Sequence, residues 1–485
     1  MSDERIPTGI EGLDDILCGG LPPGRMYLVQ GDPGAGKTTL GLQFLLEGQR
    51  RGERGLYVTL SETRDELGAV AASHGWDVEK LSLFDLGTSG TRFDVEEQNT
   101  LFEPAEVELG ELTRALLAQV EEVKPVRLVF DSLSEMRLLA QSALRYRRQV
   151  LSLKQHLAGR GCTVLVMDDR TSETGDLQLQ SLAHGVLLLE QLSPVYGAER
   201  RRLRVAKMRG VSYRGGYHDF RIRKGGIELF PRLVASEHHS RFKPGQVSSG
   251  LPALDELLGG GLDRGTSTLL IGPAGTGKSV LAMHYALASA ARGETAAVYA
   301  FDEGLGTLAA RTAALGLPFE EQLESGRLRV QQIDPAEMSP GEFVHLVRRD
   351  VETHGARVVI IDSLNGYMSA MPEEQFLTVQ MHEVLSYLRQ RGVLAILVVA
   401  QTGMVGSMTS PVDVSYLADT VIVLRYFEAR GSLRKAISVL KRRSGRHGRD
   451  IRELQMDSHG VHVGAALDQF QGVFTGVPTI LPGEQ

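Results

Sequence analysis

Two short stretches of the chain have residue types and spacing suited to binding phosphate. They read GDPGAGKT, from Gly31 to Thr38, and GPAGTGKS, from Gly272 to Ser279, and both fit the pattern G-x-x-x-x-G-K-[ST]. In such a loop the backbone N–H groups surround phosphate oxygens, the lysine reaches the β- and γ-phosphates, and the final hydroxyl ligates Mg²⁺. The alternative is a glycine-rich turn without a ligand, but two matches in register make coincidence a poor explanation.

The motif assigns a set of nucleotide-binding residues to each half of the chain. Lys37 and Lys278 would contact the β- and γ-phosphates, and the hydroxyls of Thr38 and Ser279 would ligate Mg²⁺. ATP with Mg²⁺ is therefore the ligand that the sequence predicts. The predicted set comprises Gly34, Ala35, Gly36, Lys37, Thr38 and Thr39 in the first loop, and Gly275, Thr276, Gly277, Lys278, Ser279 and Val280 in the second.

Two aspartates end apolar segments where a second Mg²⁺ partner is expected. Asp131 ends RLVFDS and Asp362 ends VVIIDS. An acid at the end of a strand several elements after the loop holds Mg²⁺ in many nucleotide sites. The alternative is an acid that caps a strand end, and the shared DSL sequence favours the metal role.

Glu62 and Glu303 are the candidate catalytic bases. Each closes the predicted strand after the first helix, and the carboxyl ends of such strands line the ligand crevice of an open α/β sheet. A carboxylate there can polarise an attacking water or hydroxyl. Asp302 precedes Glu303, so the second copy has paired carboxylates whose pKa values should separate and favour one as a base. The alternative is that Asp302, like Ser61 in the first copy, points to the opposite face of its strand.

The two loops belong to an internal repeat, because Lys278 lies 241 residues after Lys37 and the flanking residues keep this register. Each copy alternates apolar strand patterns with helical patterns, which predicts an α/β fold with a mainly parallel, doubly wound sheet. We predict a first domain over residues 1–232, a linker over 233–246 and a second domain over 247–485. The strands predicted for the first copy are MYLVQ, GLYVTLSE, VRLVFDS, CTVLVMDD and GVLLLEQL.

Composition excludes several other classes of function. The formal net charge of -7 gives no global basic field for nucleic acid or an anionic membrane. Cys18 and Cys162 lack the spacing of a metal site. The N-terminal residues have no apolar core of a secretory signal, and the longest apolar run, VLAILVVA, is too short to span a bilayer. We expect a soluble, cytoplasmic protein with no membrane partner.

Longer stretches around the loops resemble the KaiC family of circadian clock ATPases and autokinases. The resemblance is carried by TGIEGLDDILCGGLPPG before the first loop, SETRDEL and SHGWD after it, KMRG, and YFEARGSLRKAISVLKRRSGRHGRDIREL near the end of the chain. It covers essentially the whole chain in two copies. It implies two tandem RecA-like P-loop NTPase domains per chain and a homohexamer that holds ATP between neighbouring subunits.

The resemblance also implies residues that complete each nucleotide site. Basic residues from the next subunit would stabilise charge on the γ-phosphate, as arginine fingers do. The matching segments are Lys207, Met208 and Arg209 in the first copy and Lys441, Arg442 and Arg443 in the second. Without the resemblance, these segments would be read as solvated strand edges. Ser73 and Trp76 fall where the family lines the first nucleotide site, although core packing explains Trp76 equally well.

In the family, the second domain also phosphorylates an adjacent Ser-Thr pair of a neighbouring subunit. Alignment on DTVIVLRYFEARG places that pair at Ser415 and Tyr416. A tyrosine hydroxyl lies farther from its Cα than a threonine hydroxyl, so we expect phosphorylation of Ser415 more than of both residues. The alternative is an ordinary Ser-Tyr pair beside a strand start. Ser61 and Asp302 also depart from the family, since each replaces one of its paired glutamates.

The resemblance predicts an ATPase and serine autokinase with a signalling or timing role. KaiB-like or other signalling proteins are the partners it implies, but the segment GAALDQFQGVFTGVPTILPGEQ does not match the family's activator-binding tail. A DNA-dependent RecA-type ATPase is the main alternative, although the basic clusters coincide with the expected ATP-sensing positions. A scaffold that only binds ATP is a third hypothesis, and the intact loop lysines, Glu62 and Glu303 argue against it.

Overall fold

The computed structural model describes residues 4–85, 104–140, 142–170, 176–194, 196–369, 374–401, 416–458, 460–475 and 478–480. The chain divides into two compact units, Met1–Arg232 and Leu233–Gln485. Within the predicted linker, Leu233 and Ala235 are buried in an apolar core of the second unit. The backbone N–H of Ala235 donates to Glu383 at 3.1 Å. The start of that segment therefore packs as part of the second unit, and the domain limits given above remain a prediction.

The first unit alternates strands and helices around one sheet. Its strands are β1 (Met26–Gly31), β2 (Gly55–Thr59), β3 (Ser82–Asp85), β4 (Arg127–Asp131), β5 (Thr163–Asp169), β6 (Gly185–Leu192), β7 (Arg200–Met208), β8 (His218–Arg223) and β9 (Gly226–Phe230). Its helices are α1 (Glu11–Ile16), α2 (Lys37–Arg50), α3 (Arg64–His74), α4 (Pro104–Val123), α5 (Leu133–Ala140), α6 (Ala143–Ala158) and α7 (Asp176–Leu182).

The second unit repeats this plan and adds short elements at its ends. Its strands are β10 (Gln246–Val247), β11 (Leu262–Asp263), β12 (Ser267–Gly272), β13 (Thr295–Ala300), β14 (Leu328–Gln332), β15 (Ala356–Asp362), β16 (Leu394–Ala400), β17 (Thr420–Ala429), β18 (Ser432–Arg442), β19 (Arg452–Asp457), β20 (Gly460–Ala466), β21 (Phe470–Gln471) and β22 (Thr479–Ile480). Its helices are α8 (Pro252–Leu257), α9 (Lys278–Ala291), α10 (Leu305–Ala314), α11 (Phe319–Glu324), α12 (Pro340–Glu352), α13 (Leu364–Ser369) and α14 (Glu374–Gln390).

The two main sheets have equivalent strand orders, β3-β2-β4-β5-β1-β6-β7-β8-β9 and β14-β13-β15-β16-β12-β17-β18-β19-β20. The first six strands of each order are parallel. The last three continue the sheet in antiparallel fashion. The predicted α/β fold with tandem, mainly parallel sheets is confirmed. The antiparallel extension was not predicted, because its charged, half-buried strands lack the continuous apolar run of the parallel ones.

Each sheet is covered on both faces by apolar side chains. Successive residues of a strand point to opposite faces, so Tyr27 and Leu28 of β1 belong to different core clusters. Leu269 and Leu270 of β12 divide in the same way. Two-sided burial explains why the central strands are apolar throughout, and it leaves the strand ends as the place for polar chemistry. Among the described residues, no helix is long and apolar enough to cross a membrane.

Candidate functional site

Both predicted phosphate loops connect the carboxyl end of a central strand to the start of a helix. The residues before α2 and α9 are Gly36 and Gly277, with φ of 100° and 103°, a conformation that favours glycine. A Cβ on Gly36 would lie 2.7 Å from Ile222 Cδ1, and a Cβ on Gly277 would collide with Met456. Glycine is therefore required at both positions, and the helix that follows begins with N–H groups that lack intrahelical partners.

The loop lysines are buried, but their partners differ between the copies. Lys37 Nζ donates to the carbonyl of Gly31 at 2.8 Å and forms an ion pair with Asp169 at 2.8 Å. Lys278 Nζ donates to the carbonyl of Pro273 at 2.7 Å. The strand register places Ala400 where the first copy has Asp169. Burial lowers the pKa of Lys278 to about 8. The first lysine thus has an acidic partner at a position where the second copy has an alanine.

In each copy the hydroxyl after the loop lysine lies beside the strand-end aspartate. Thr38 Oγ1 donates to Asp131 Oδ2 at 3.3 Å, and a Ser279 hydrogen bond to Asp362 lowers the pKa of that carboxyl. Burial nevertheless raises the pKa of both aspartates. Tyr57 Oη donates to the same oxygen of Asp131 at 2.6 Å. Each copy therefore brings together the two oxygen ligands that the sequence predicts for Mg²⁺.

Glu62 lies at this cluster in the first copy. Its Oε1 accepts from Thr38 Oγ1 at 3.5 Å. Its Oε2 is buried and has no hydrogen-bond partner within the described ranges. Burial and the nearby charge of Asp131 raise the pKa of Glu62. A free, buried carboxylate oxygen beside a hydroxyl and a second carboxylate suits Mg²⁺ or its bound water, because hard cations prefer oxygen ligands.

The two acids that end the corresponding strand of the second copy have separate partners. Glu303 Oε2 lies 2.9 Å from Arg311 Nη2, and Ser363 Oγ donates to Asp302. Burial raises the pKa of Glu303, the charge of Arg311 opposes that rise, and the charge of Asp362 adds to it. The carboxylate that acts on the pKa of Glu303 is thus Asp362, across the strand end, rather than its neighbour in the chain.

A cavity of about 340 Å³ opens beside the second loop. Predicted loop residues and side chains from α10 and β19 form its wall. The lining residues are Gly275, Gly277, Lys278, Ser279, Val280, Arg311, Ala314, Leu315 and Met456. The remaining predicted loop residues keep the turn: Gly34 and Gly275 have φ of 80° and 77°, and Ala35, Thr39 and Thr276 are buried. The volume lies within the range of small-molecule pockets.

The two basic segments mainly contact their own domain. Lys207 Nζ and Lys441 Nζ donate to the carbonyls of Ala183 and Ala418, each at 2.9 Å. Arg209 donates to a Ser181 carbonyl at 2.8 Å, and Arg443 donates to that of Tyr416 at 3.0 Å. Arg442 differs from these residues, because its side chain is only 2% exposed and pairs with Asp263 at 2.9 Å. Met208, at the equivalent place in the first copy, is also buried.

The other predicted residues lie apart from the loop contacts described above. Ser73 is exposed near the end of α3 and donates to the carbonyl of Val70 at 2.7 Å. Trp76 packs against the apolar core and lies 4.6 Å from the His74 ring, centroid to centroid. Tyr416 is 53% exposed. Ser415 lies outside the described residues.

Sequence reasoning missed three residues that touch the predicted sites. Asp169 could have been found, because it ends VMDD at a strand terminus that faces the loop. Tyr57 lies inside an apolar strand and looks like an ordinary core residue. Arg311 lies in the middle of a helix, where an arginine is usually solvated. The only sequence signal for Arg311 is the comparison with the other copy, which has Val70 there.

The repeated sheet and the two loops define a class of protein. A mainly parallel sheet, a lysine loop between a central strand and a helix, and an acid at the end of a neighbouring strand are the parts of a P-loop nucleotide site. The chain is a tandem RecA-like P-loop ATPase.

Comparison with known proteins gives the family. The family described as "ATPase: KaiC" matches residues 6–234 and 247–468. The circadian clock oscillator protein KaiC of Thermosynechococcus vestitus is 29% identical over 487 residues, which cover 98% of this chain and 92% of that protein. The circadian clock protein KaiC3 of Synechocystis sp. is 27% identical over 485 residues, with 98% and 94% covered. The chain belongs to the KaiC family, as the sequence analysis predicted.

The Tyr57 hydroxyl provides a test of the Mg²⁺ site predicted for the first copy. In Tyr57→Phe, Asp131 loses the hydrogen bond that orients it, and partners of this kind are worth about 10-fold or more in metal affinity. We expect about a 10-fold rise in the Mg²⁺ concentration needed for half-maximal ATP hydrolysis by the first copy, measured with Glu303→Gln present.

Val298 occupies the place of Tyr57 in the second copy. The Mg²⁺ requirement of the second copy, measured in Tyr57→Phe with Glu62→Gln, is therefore the internal control and should not change. An unchanged Mg²⁺ requirement of the first copy would show that Tyr57 does not support Asp131.

Proposed function

We propose that each copy binds MgATP and hydrolyses it slowly, with Glu62 and Glu303 as the bases that activate water. The observation that carries this proposal is the cluster of Thr38, Asp131 and Glu62, in which one carboxylate oxygen is buried without a partner among the described residues. The second copy repeats the pairing of hydroxyl and strand-end acid.

The described residues have distinct roles in this mechanism. Lys37 and Lys278 are buried in their loops, and each donates to a backbone carbonyl. When ATP binds, each would instead contact the β- and γ-phosphates. The hydroxyls of Thr38 and Ser279, with Asp131 and Asp362, would hold Mg²⁺, which neutralises charge on the phosphates. Glu62 and Glu303 would each accept a proton from the attacking water. Their raised pKa values bring them closer to neutral pH, where a general base is more effective.

Removal of the two bases tests this mechanism. Loss of a general base typically costs about 10²- to 10⁴-fold in rate, so we expect a loss of that order in the double variant Glu62→Gln, Glu303→Gln. Phosphate release from ATP with Mg²⁺ is the measurement. Each single variant should retain the activity of the other copy. Full activity in the double variant would remove both glutamates from the mechanism.

A ring of subunits would complete the sites. Lys207, Arg209, Lys441 and Arg443 contact carbonyls of their own domain, and we expect the nucleotide of a neighbouring subunit to bring its γ-phosphate to them. A cation supplied in this way stabilises charge that develops on the γ-phosphate. Arg442 and Met208 would anchor these segments to their own domain, because both side chains are buried.

Assembly with nucleotide tests the ring. We expect a hexamer of the 52.9 kDa chain by light scattering in saturating ATP and Mg²⁺, because bound ATP would join neighbouring subunits. The variant Lys37→Ala, Lys278→Ala should assemble poorly, while Arg54→Ala, a change at an exposed residue outside the sites, should assemble normally. A monomer in saturating ATP would contradict a site shared between subunits.

The second copy is proposed to transfer phosphate to Ser415 of a neighbouring subunit as well. The γ-phosphorus would bond to the serine Oγ while its bond to the bridging oxygen breaks and ADP leaves, and Glu303 would take the hydroxyl proton. Tyr416 is exposed beside this serine. The KaiC family and the names of its clock relatives support a signalling or timing role for such a protein, with KaiB-like proteins as candidate partners and the cytoplasm as the compartment.

Phosphopeptide mapping tests this transfer. After incubation with MgATP we expect label on Ser415, its loss in Ser415→Ala and in Glu303→Gln, and its retention in Tyr416→Phe. Equal label in Ser415→Ala would remove Ser415 as the acceptor. No label in the unaltered protein would remove the kinase activity and leave the proposed hydrolysis unaffected.

A further inference from the structure

The two candidate bases are held differently, although they occupy equivalent places in the repeat. Glu62 faces the loop, with Oε1 3.5 Å from the hydroxyl of Thr38. Glu303 instead lies against Arg311, with 2.9 Å between Oε2 and Nη2. The residue equivalent to Arg311 in the first copy is Val70, which packs against the apolar core. The first copy therefore lacks a cation at this helical position.

The local structure explains how Arg311 reaches the acid. Glu303 lies two residues before α10, and Arg311 lies within that helix, so their ion pair joins α10 to the segment that follows β13. The Arg311 side chain also lines the cavity beside Lys278 and Ser279. The ion pair is thus formed inside the second nucleotide site and not on a remote surface.

The charge of Arg311 acts directly on Glu303, since 2.9 Å separates Nη2 from Oε2. It opposes the rise in pKa that burial causes at Glu303. A cation that both contacts a general base and makes it a weaker base reduces its ability to take a proton from water. The contact also occupies one carboxylate oxygen of Glu303.

We infer that Arg311 is a positioning residue that restrains Glu303 and slows hydrolysis of ATP in the second copy. This inference rests on the proposed role of Glu303 as the base. Arg311 acts through Glu303 and not by binding the nucleotide, so it affects turnover more than affinity. The duplicated chain would in this way hold two hydrolytic sites of unequal rate, with the slower one in the copy that carries the candidate phosphoacceptor.

The test replaces Arg311 with the residue of the other copy. In a protein that carries Glu62→Gln, all hydrolysis should come from the second copy. Addition of Arg311→Val should raise kcat about two- to fivefold, the factor that corresponds to a partly exposed ion pair, and should leave KM for ATP unchanged. Arg311→Lys should keep kcat near the restrained value, because it retains a cation. Arg327→Val, a change of the same kind at an exposed arginine outside the cavity, should have no effect.

Three outcomes would overturn the inference. An unchanged kcat in Arg311→Val would mean that the ion pair does not restrain the base. A lower kcat or a raised KM would mean that Arg311 assists catalysis or binds ATP directly. A rise in kcat that Arg311→Lys shares would mean that charge is irrelevant. Failure of the proposed function would give a different result. In that case, adding Glu303→Gln to the Glu62→Gln protein would leave its rate of ATP hydrolysis unchanged. Circular dichroism and light scattering with ATP would establish that the variants fold and assemble.

Discussion

Both candidate sites depend on one turn of the backbone, the left-handed glycine that precedes α2 and α9. At Gly36 and Gly277 the chain changes from a central strand to a helix through a positive φ that other residues rarely adopt, and a Cβ would meet the side chain of Ile222 or Met456. This turn aligns the helix start with the strand end, where the free N–H groups and the lysine can face a phosphate. The parallel strands on either side then fix the acids, because their carboxyl ends meet at the same edge of the sheet.

The duplication preserves this backbone while changing the side chains around it. The strand orders are the same, and Asp131 and Asp362 occupy equivalent register positions against β2 and β13. In contrast, the lysine of the first copy has an acidic partner, Asp169, while the glutamate of the second copy has a basic partner, Arg311. The two sites therefore share the geometry of the loop and the strand-end acid, and differ in the charges beside the loop lysine and the candidate base.

The sequence predicted the parts of the fold that depend on local pattern. Apolar strands followed by helices placed β1, β2, β4, β5 and β6 correctly, and the spacing of the loop placed Lys37 at the start of α2. The strands β7 to β9 were missed, since β7 reads RRRLRVAKM and is buried at alternate positions only in its middle. Such a strand is fixed by antiparallel pairing with β6, which is a tertiary contact that no local pattern shows.

Contacts within the sites were harder to predict for the same reason. The loop and the strand-end acids could be located from spacing, and the structure brings Thr38, Asp131 and Glu62 together as expected. The partner of Glu303 could not be located in this way, because Arg311 lies within α10 and reaches back to a residue outside that helix. The burial of Arg442 is a similar case. It lies in a run of three basic residues, and its pairing with Asp263 in a buried position distinguishes it from the exposed Arg443.

A second network shows how far the copies have diverged behind their loops. In the first copy, Asp168 is fully buried, accepts from Arg137 at 2.7 Å and from Gln30 at 3.2 Å, and precedes the partner of Lys37. The second copy has the apolar residue Val399 at the place of Asp168. A buried carboxylate is stable only with such partners, so Asp168 depends on Arg137 and Gln30. Ser134 Oγ donates to Asp168 and to Asp169, so the pairing of Lys37 with Asp169 lies at the edge of a connected polar network. The second copy has apolar residues, Val399 and Ala400, at the places of these two acids.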